Sequence, residues 1–437
     1  MKVKSFRGWI PGADCRQTLP GPPYDVISSS EARVIGDKNP DSVLHLNKPD
    51  IDLPKGTDPY SDIVYATGRD NLQRFIEDGK LVRDEQPQIY AYRQAKAGHA
   101  QTGFVALTAV ADYASGAIKK HEVTVEKKEQ DRVRMVDTQN ANVGPVYLAY
   151  KAREDLTAIL DETVKTEPIF QIPCAECDET EHTIWRIDPA NYERVIELFG
   201  TVDSLYICDG HHRSESAFKV GQRRIKEAEA QGVTLPESHP ARWFLSVIFP
   251  HDQLAIFDYN RVIIDSPYTK AEVLAELEKY FKVESLGVQD AGKPDTEHSL
   301  APAHHAKPTK MHEFGFYMEG EWFRLTLTNP VDDSHPIDSI DAEILTKLIL
   351  DPFFGIKNLR TSEIIRFVGG DRGLHGMEKV ADANKDKNAC GFAVFPLTME
   401  QLFKVADAGA ICPPKSTYLL PKLLSGMVIR TIEEDTV

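Results

Sequence analysis

The densest run of reactive side chains in this sequence is Asp209-Gly210-His211-His212-Arg213-Ser214. It follows an apolar run, Leu205-Tyr206-Ile207-Cys208. Ahead of it lies a stretch with Ala217, Phe218, Gly221, Ile225 and Ala228 at roughly helical spacing. A strand that ends in a glycine turn and feeds a helix points free N–H groups and the positive end of the helix dipole at one spot. That spot suits an anion, phosphate above all. Gly210 permits the tight turn, and Arg213 presents a planar fork to phosphate oxygens. His211 and His212 donate hydrogen bonds or titrate near neutral pH, and Ser214 caps the helix or adds a donor. Two rival readings stand beside this one. In the first, the polar residues satisfy one another in a surface turn. In the second they bind a transition metal, which adjacent histidines on a tight turn suit poorly, because metal-binding pairs are usually spaced i, i+2 or i, i+4.

Other residues join this loop as candidates. His121-Glu122 precedes a helix with Thr124 as the expected cap and Glu126 in its first turn. Glu122 would serve as general base for a small alcohol while Arg132 or Arg213 steers phosphate; the alternative is a solvated helix start. Asp25, in Pro22-Pro23-Tyr24-Asp25-Val26, would contact a metal or a substrate amine, or else belongs to a rigid turn. In Pro413-Pro414-Lys415-Ser416-Thr417, a lysine and two hydroxyls suit phosphate, but no glycine-rich P-loop precedes them, and the alternative is a rigid turn between elements. Cys174-x-x-Cys177 is a lone pair with His182 nearest, too little for a structural zinc. His298, His304, His305 and His312 lie in or beside a Pro/Ala-rich stretch and are expected to face solvent.

These groups need elements to hold them, and 437 residues exceed what one core usually serves, so two domains are expected. The pattern predicts helices over 60–78, 153–165, 189–199 and 214–230, and a further helix after the loop that begins at 119. Strands are predicted over 88–93, 103–109, 146–150, 183–187, 204–208 and 243–249. Gly221 is a second place where the 214–230 helix would end. An exposed loop is expected at 287–310. Beyond it a hairpin around Glu319-Gly320-Glu321, helices over 340–350, 372–383 and 399–408, and strands over 364–368, 391–395 and 427–431 form a second α/β unit. The expected fold class is therefore α/β (α+β, with mixed sheets), divided into residues 1–265 and 266–437.

Composition sets the remaining bounds. A formal net charge of −16, with no dense Lys/Arg block, argues against nucleic acid and anionic membranes as partners. No apolar run is long enough to span a bilayer. The six cysteines are scattered, and no apolar segment follows the charged first residues, so a reducing cytoplasm is the expected location. Oligomeric state is left open, a homo-oligomer included.

Four separated motifs, "PPYDVIS", "KKHEVT…KEQDR…GPVYLAY", "CDGHHRSESA" and "CPPKSTYLLPKLLSGMVIR", resemble domain-of-unknown-function family 1015, whose name implies no activity. The Gly210-His211-His212-Arg213 core is also similar to the signature of the ParB/sulfiredoxin superfamily, in which this loop holds a nucleotide's phosphates. Free serine kinases in that superfamily combine an upstream His-Glu, here His121-Glu122, with a downstream Asp-Gly-His-His-Arg-like loop. The resemblance implies a ParB/sulfiredoxin-like core plus a C-terminal α/β unit, and ATP or ADP with Mg²⁺ as cofactor. It further implies a nucleotide-dependent phosphotransferase acting on a small hydroxylated metabolite, with free serine the first acceptor to consider. In that reading Glu122 and His121 are catalytic, and Asp209 holds Mg²⁺ or orients a histidine. Gly210, His211, His212, Arg213, Ser214 and Lys415 contact phosphate, and Asp25 and Arg132 contact substrate. The rival functions are a non-catalytic nucleotide-binding regulator and a metal-dependent hydrolase built on His211, His212 and Asp209. Sulfiredoxin chemistry does not carry over, because His211 stands where that reaction needs a cysteine.

Overall fold

The computed structural model describes all residues except 97, 175–179, 289–301, 332–333 and 433–437. The chain forms two compact units. The first comprises Met1–Leu254 and the segment from Pro421 onward; the second is Ala255–Leu420.

The first unit is built on a nine-stranded mixed sheet: β1 (Val3–Lys4), β2 (Tyr90–Lys96), β3 (His99–Ala109), β4 (Ile118–Lys119), β5 (Val146–Tyr150), β6 (Phe170–Cys174), β7 (Thr180–Arg186), β8 (Leu205–Asp209) and β9 (Trp243–Pro250). Their spatial order is β4-β8-β5-β9-β3-β2-β7-β6, with β1 against β3. β4 runs parallel to β8 and β9 runs parallel to β5; the other pairs are antiparallel. Alternation decides the faces. Phe104, Ala106, Val146, Leu148, Leu205 and Ile207 point into one core with the helices α1 (Glu154–Thr163) and α2 (Tyr192–Gly200). On β2, β3, β5 and β7 the opposite face carries Tyr92, Gln94, Gln101, Tyr147 and His182, all buried. Where β8 meets β5 the register slips between Ile207 and Asp209, a bulge that re-aims the end of the strand.

The helix after β8, α3 (His211–Ala230), begins three residues earlier than the sequence reading has it. Gly210 takes the cap position at φ +91° with no side-chain cap, so His211, His212 and Arg213 form the first turn rather than a loop. Ser214 therefore caps nothing; it is buried, with its hydroxyl 3.2 Å from the Gly210 carbonyl and 3.0 Å from that of His211. Gly221 does not end the helix either. An added Cβ there would stand 2.4 Å from the Ala241 carbonyl oxygen, so the glycine permits close backbone approach.

Two further expectations change. Thr124 does not cap the helix Glu126–Gln139, whose cap is Val125; its hydroxyl instead donates to Glu129 at 3.0 Å. The strand expected over 427–431 in the second unit shrinks to Arg430–Thr431 and lies in the first, where Ile429 bridges Trp9 and Arg430 pairs with Asn142.

The second unit carries a six-stranded antiparallel sheet in the order 281–288, 321–327, 313–318, 390–394, 259–263, 365–369. Phe314, Phe316, Phe392 and Leu345 centre its core. The loop expected at 287–310 falls largely on residues outside the described set. At its edges β-structure runs to Val288, and Pro302–Ala306 is a short helix with Ala303 and Ala306 buried. His312 is not a free surface imidazole: its Nδ1 lies 3.0 Å from the carboxylate of Asp341. Cys177 and His298 lie outside the described residues.

Candidate functional site

Four segments, distant in sequence, meet around the first turn of α3: residues 24–25, 120–125, 144–145 and 422–425. The 120–125 segment is held there by side chains of the helix. Glu215 pairs with Lys120 at 3.4 Å, His211 Nε2 accepts from the His121 backbone N–H at 3.4 Å, and His212 Nε2 accepts from the Val125 N–H at 3.0 Å. Glu122 is thereby set beside the helix start, its Oε2 3.7 Å from His211 Nδ1 and its side chain 47% exposed. Because His211 Nε2 accepts, its proton belongs on Nδ1, facing Glu122. Burial, then the neighbouring His121, hold the His211 imidazole well below its ordinary range, so it is neutral. The buried His121 ring meets that of His211 edge-to-face at 4.5 Å. Burial brings its pKa down to about 4, and neither of its ring nitrogens has a hydrogen-bond partner among the described residues.

Arg213 is fixed by two bonds. Nη1 donates to the Pro145 carbonyl at 2.5 Å and Nη2 to Asp209 Oδ2 at 2.8 Å, while Nε has no partner among the described residues. The backbone N–H groups of His211, His212 and Arg213 likewise find no acceptor there; the first N–H to do so is that of Ser214, on Gly210. Three amide donors and one guanidinium N–H at a helix N-terminus are the parts of an anion cradle. Asp209 closes its rear. Burial pushes the Asp209 carboxyl up, but the charges of Lys422 and then Arg213 outweigh burial and hold it at about 2.

Asp25 and Arg132 flank the cradle. Asp25 is exposed, and its charge acts on both Arg213 and His212. Arg132 is buried, stacked 4.1 Å over the Tyr24 ring and bonded to Asp131 at 2.7 and 2.9 Å. Tyr24, Arg132, Arg213, Gly144 and Ser425 line a cleft of about 40 Å³, room for water-sized groups. Lys415 belongs to the second unit, with its ammonium 5.3 Å from the centre of the Tyr259 ring.

Two residues near the cradle escaped the sequence reading: Tyr24 and Lys422. Lys422 sits five residues after Thr417 in the quoted "PPKSTYLLPK" run, where Lys415 drew attention because hydroxyls follow it. As a Mg²⁺ ligand Asp209 does not fit, since Arg213 and Lys422 each take one of its oxygens. His211 and His212 direct their Nε2 atoms to different backbone N–H groups, which does not suit a shared ion. Among the described residues no three His, Cys, Asp or Glu side chains gather as a metal site requires.

Fold and site together define a mixed α/β protein with donors left without acceptors, among the described residues, at a strand-to-helix junction. The chain belongs to the family described as protein of unknown function (DUF1015), which matches residues 3–343. No curated protein matches. Among solved structures, a free serine kinase in complex with AMP is similar at 13% identity and a TM-score of 0.32, covering 74% of this chain and 92% of that one. A conserved hypothetical protein from Pyrococcus furiosus is similar at 15% identity and a TM-score of 0.29, with 72% and 90% covered. SbnI with C-terminal truncation, from Staphylococcus aureus, is similar at 10% identity and a TM-score of 0.34, with 74% and 85% covered. Among the described residues no helix is long and apolar enough to cross a membrane.

Proposed function

We propose that this protein is a nucleotide-dependent phosphotransferase acting on a small hydroxylated metabolite, with free serine the first acceptor to test and ATP or ADP the donor. One observation carries the reading: the open donors at the start of α3, namely the N–H groups of His211, His212 and Arg213 and Arg213 Nε, stand beside a half-exposed carboxylate, Glu122. The donors would hold the transferring phosphate and offset the charge that develops on it. Glu122 would take the proton of the acceptor hydroxyl, kept in orientation by the neutral His211. Mg²⁺ that arrives on the nucleotide would neutralise phosphate charge; Asp209 serves Arg213 instead. Lys415 and Ser214 have no part in this reading.

The test is a thermal-shift screen of AMP, ADP and ATP, with and without Mg²⁺, followed by an assay for nucleotide consumption that depends on added serine or another small alcohol. Stabilisation by a nucleotide together with acceptor-dependent turnover is expected. Stabilisation without turnover for any alcohol would make the protein a nucleotide-binding regulator, and no stabilisation at all would overturn the reading.

A further inference from the structure

The C-terminal segment returns to the first unit and brings Lys422 to the cradle. Its Nζ lies 3.4 Å from Asp209 Oδ1, while Asp209 Oδ2 accepts from Arg213 Nη2 at 2.8 Å. One carboxylate thus carries two cations on separate oxygens. Bonds on both sides of the lysine set its place. Gln94 Nε2 donates to the Lys422 carbonyl at 2.9 Å, and the Leu424 N–H donates to the Tyr92 hydroxyl at 3.3 Å. Ser425 and Gly21 exchange backbone bonds of 2.9 and 3.1 Å. Gly426 completes the turn at φ +81°, where an added Cβ would stand 2.8 Å from Leu19 Cδ2. Lys422 is therefore delivered by an anchored main chain and not by a wandering side chain.

The charges give this placement a use. Asp209 and Arg213 alone are a closed, neutral pair, and a neutral pair attracts an anion weakly. The imidazoles of His121, His211 and His212, all held below their ordinary range by burial first, add no charge near neutral pH. Asp25, the other carboxylate that acts on Arg213, opposes anion binding. With Lys422 on Asp209 the trio keeps a net positive charge. We propose that Lys422 is a positioning residue of the phosphate site: by neutralising Asp209 it leaves the charge of Arg213 to a bound phosphate. The inference rests on the phosphotransferase reading.

Titration calorimetry with ADP and with inorganic pyrophosphate tests it on the full chain, comparing wild type, Lys422→Met, Lys422→Arg, Asp209→Asn and the Asp209→Asn/Lys422→Met pair. Lys422→Met is expected to weaken both ligands by roughly tenfold or more, and Lys422→Arg to restore most of the loss. In the Asp209→Asn background the same Lys422→Met change is expected to have little further effect, because the lysine acts through that carboxylate. Thermal melts report folding, and Lys422→Gln replaces Lys422→Met should the latter not fold. Equal affinity in wild type and Lys422→Met, or a loss that Lys422→Arg does not restore, overturns the inference alone. A full Lys422→Met effect without Asp209 overturns the positioning role in favour of direct contact. Wild type that binds pyrophosphate but not ADP removes the nucleotide from the functional reading and leaves the lysine tested on pyrophosphate. Wild type that binds neither overturns both.

Discussion

At the scale of single residues, the site separates groups that hold charge from groups kept neutral. Arg213 keeps its charge, with Asp209 and Asp25 offsetting the cost of burial. His121 is buried and neutral down to about pH 4. The unfolded chain titrates this imidazole near 6.5. Between those values the unfolded state binds a proton that the folded state does not, so stability rises with pH across the window and is lost as pH falls through it. Urea unfolding measured from pH 7 to pH 4.5 (roughly the window set by free and buried imidazoles) should show that loss, with a shallower slope in His121→Leu. A slope unchanged in the variant would show that other groups dominate, His182 and His211 among them, since burial lowers both. Glu122→Gln should reduce turnover by about 10²-fold or more, the usual scale for a general base, while leaving the nucleotide thermal shift near wild type. Loss of the shift in that variant would place Glu122 in binding instead.

At the scale of elements, the junction of β8 and α3 depends on glycine geometry. Gly210→Ala forces a side chain into the left-handed region, at a cost of about 1–2 kcal/mol, and sets its Cβ 3.0 Å from Arg213 Nε. Moderate destabilisation and a clear loss of pyrophosphate affinity are expected, read by denaturant melts and titration. Gly221→Ala meets backbone instead, 2.4 Å from the Ala241 carbonyl, so it should destabilise by about 1–3 kcal/mol with ligand affinity little changed in the folded fraction. The sequence foretold this strand, this helix and their order. It did not foretell that Gly210 caps the helix, because Ser214 is the better cap by propensity and the bulge before Asp209 arises only when β8 pairs with β5.

At the scale of the molecule, the first unit is discontinuous: the chain leaves it after Leu254 and rejoins it at Pro421. Ala255 and Leu420 are paired across two short strands, so the two exits from the second unit lie side by side. Residues 1–254 joined to 421–437 by a short glycine-rich linker should therefore fold, with one cooperative melt by circular dichroism. Removal of the chain from Pro421 onward should instead lower the melting temperature and abolish nucleotide stabilisation, since that segment bonds to Trp9, Gly21, Asn142 and Asp209. An excised chain that fails to melt cooperatively, or a truncated chain that still binds, would contradict this division.

The sequence by itself determined the local facts: most of the strands and helices, the mixed α/β class, and the strand-to-helix junction at 209–213. Each follows from neighbours within a few residues, where periodicity, a glycine and a fork of donors can be read directly. Only the tertiary structure decided which distant groups meet. It joined His121-Glu122 to His211, assigned the end of the chain to the first unit, and put Lys422 beside Asp209. Those pairings depend on strand order and on a returning segment, and contacts between residues some ninety to two hundred positions apart leave no periodic trace in the sequence.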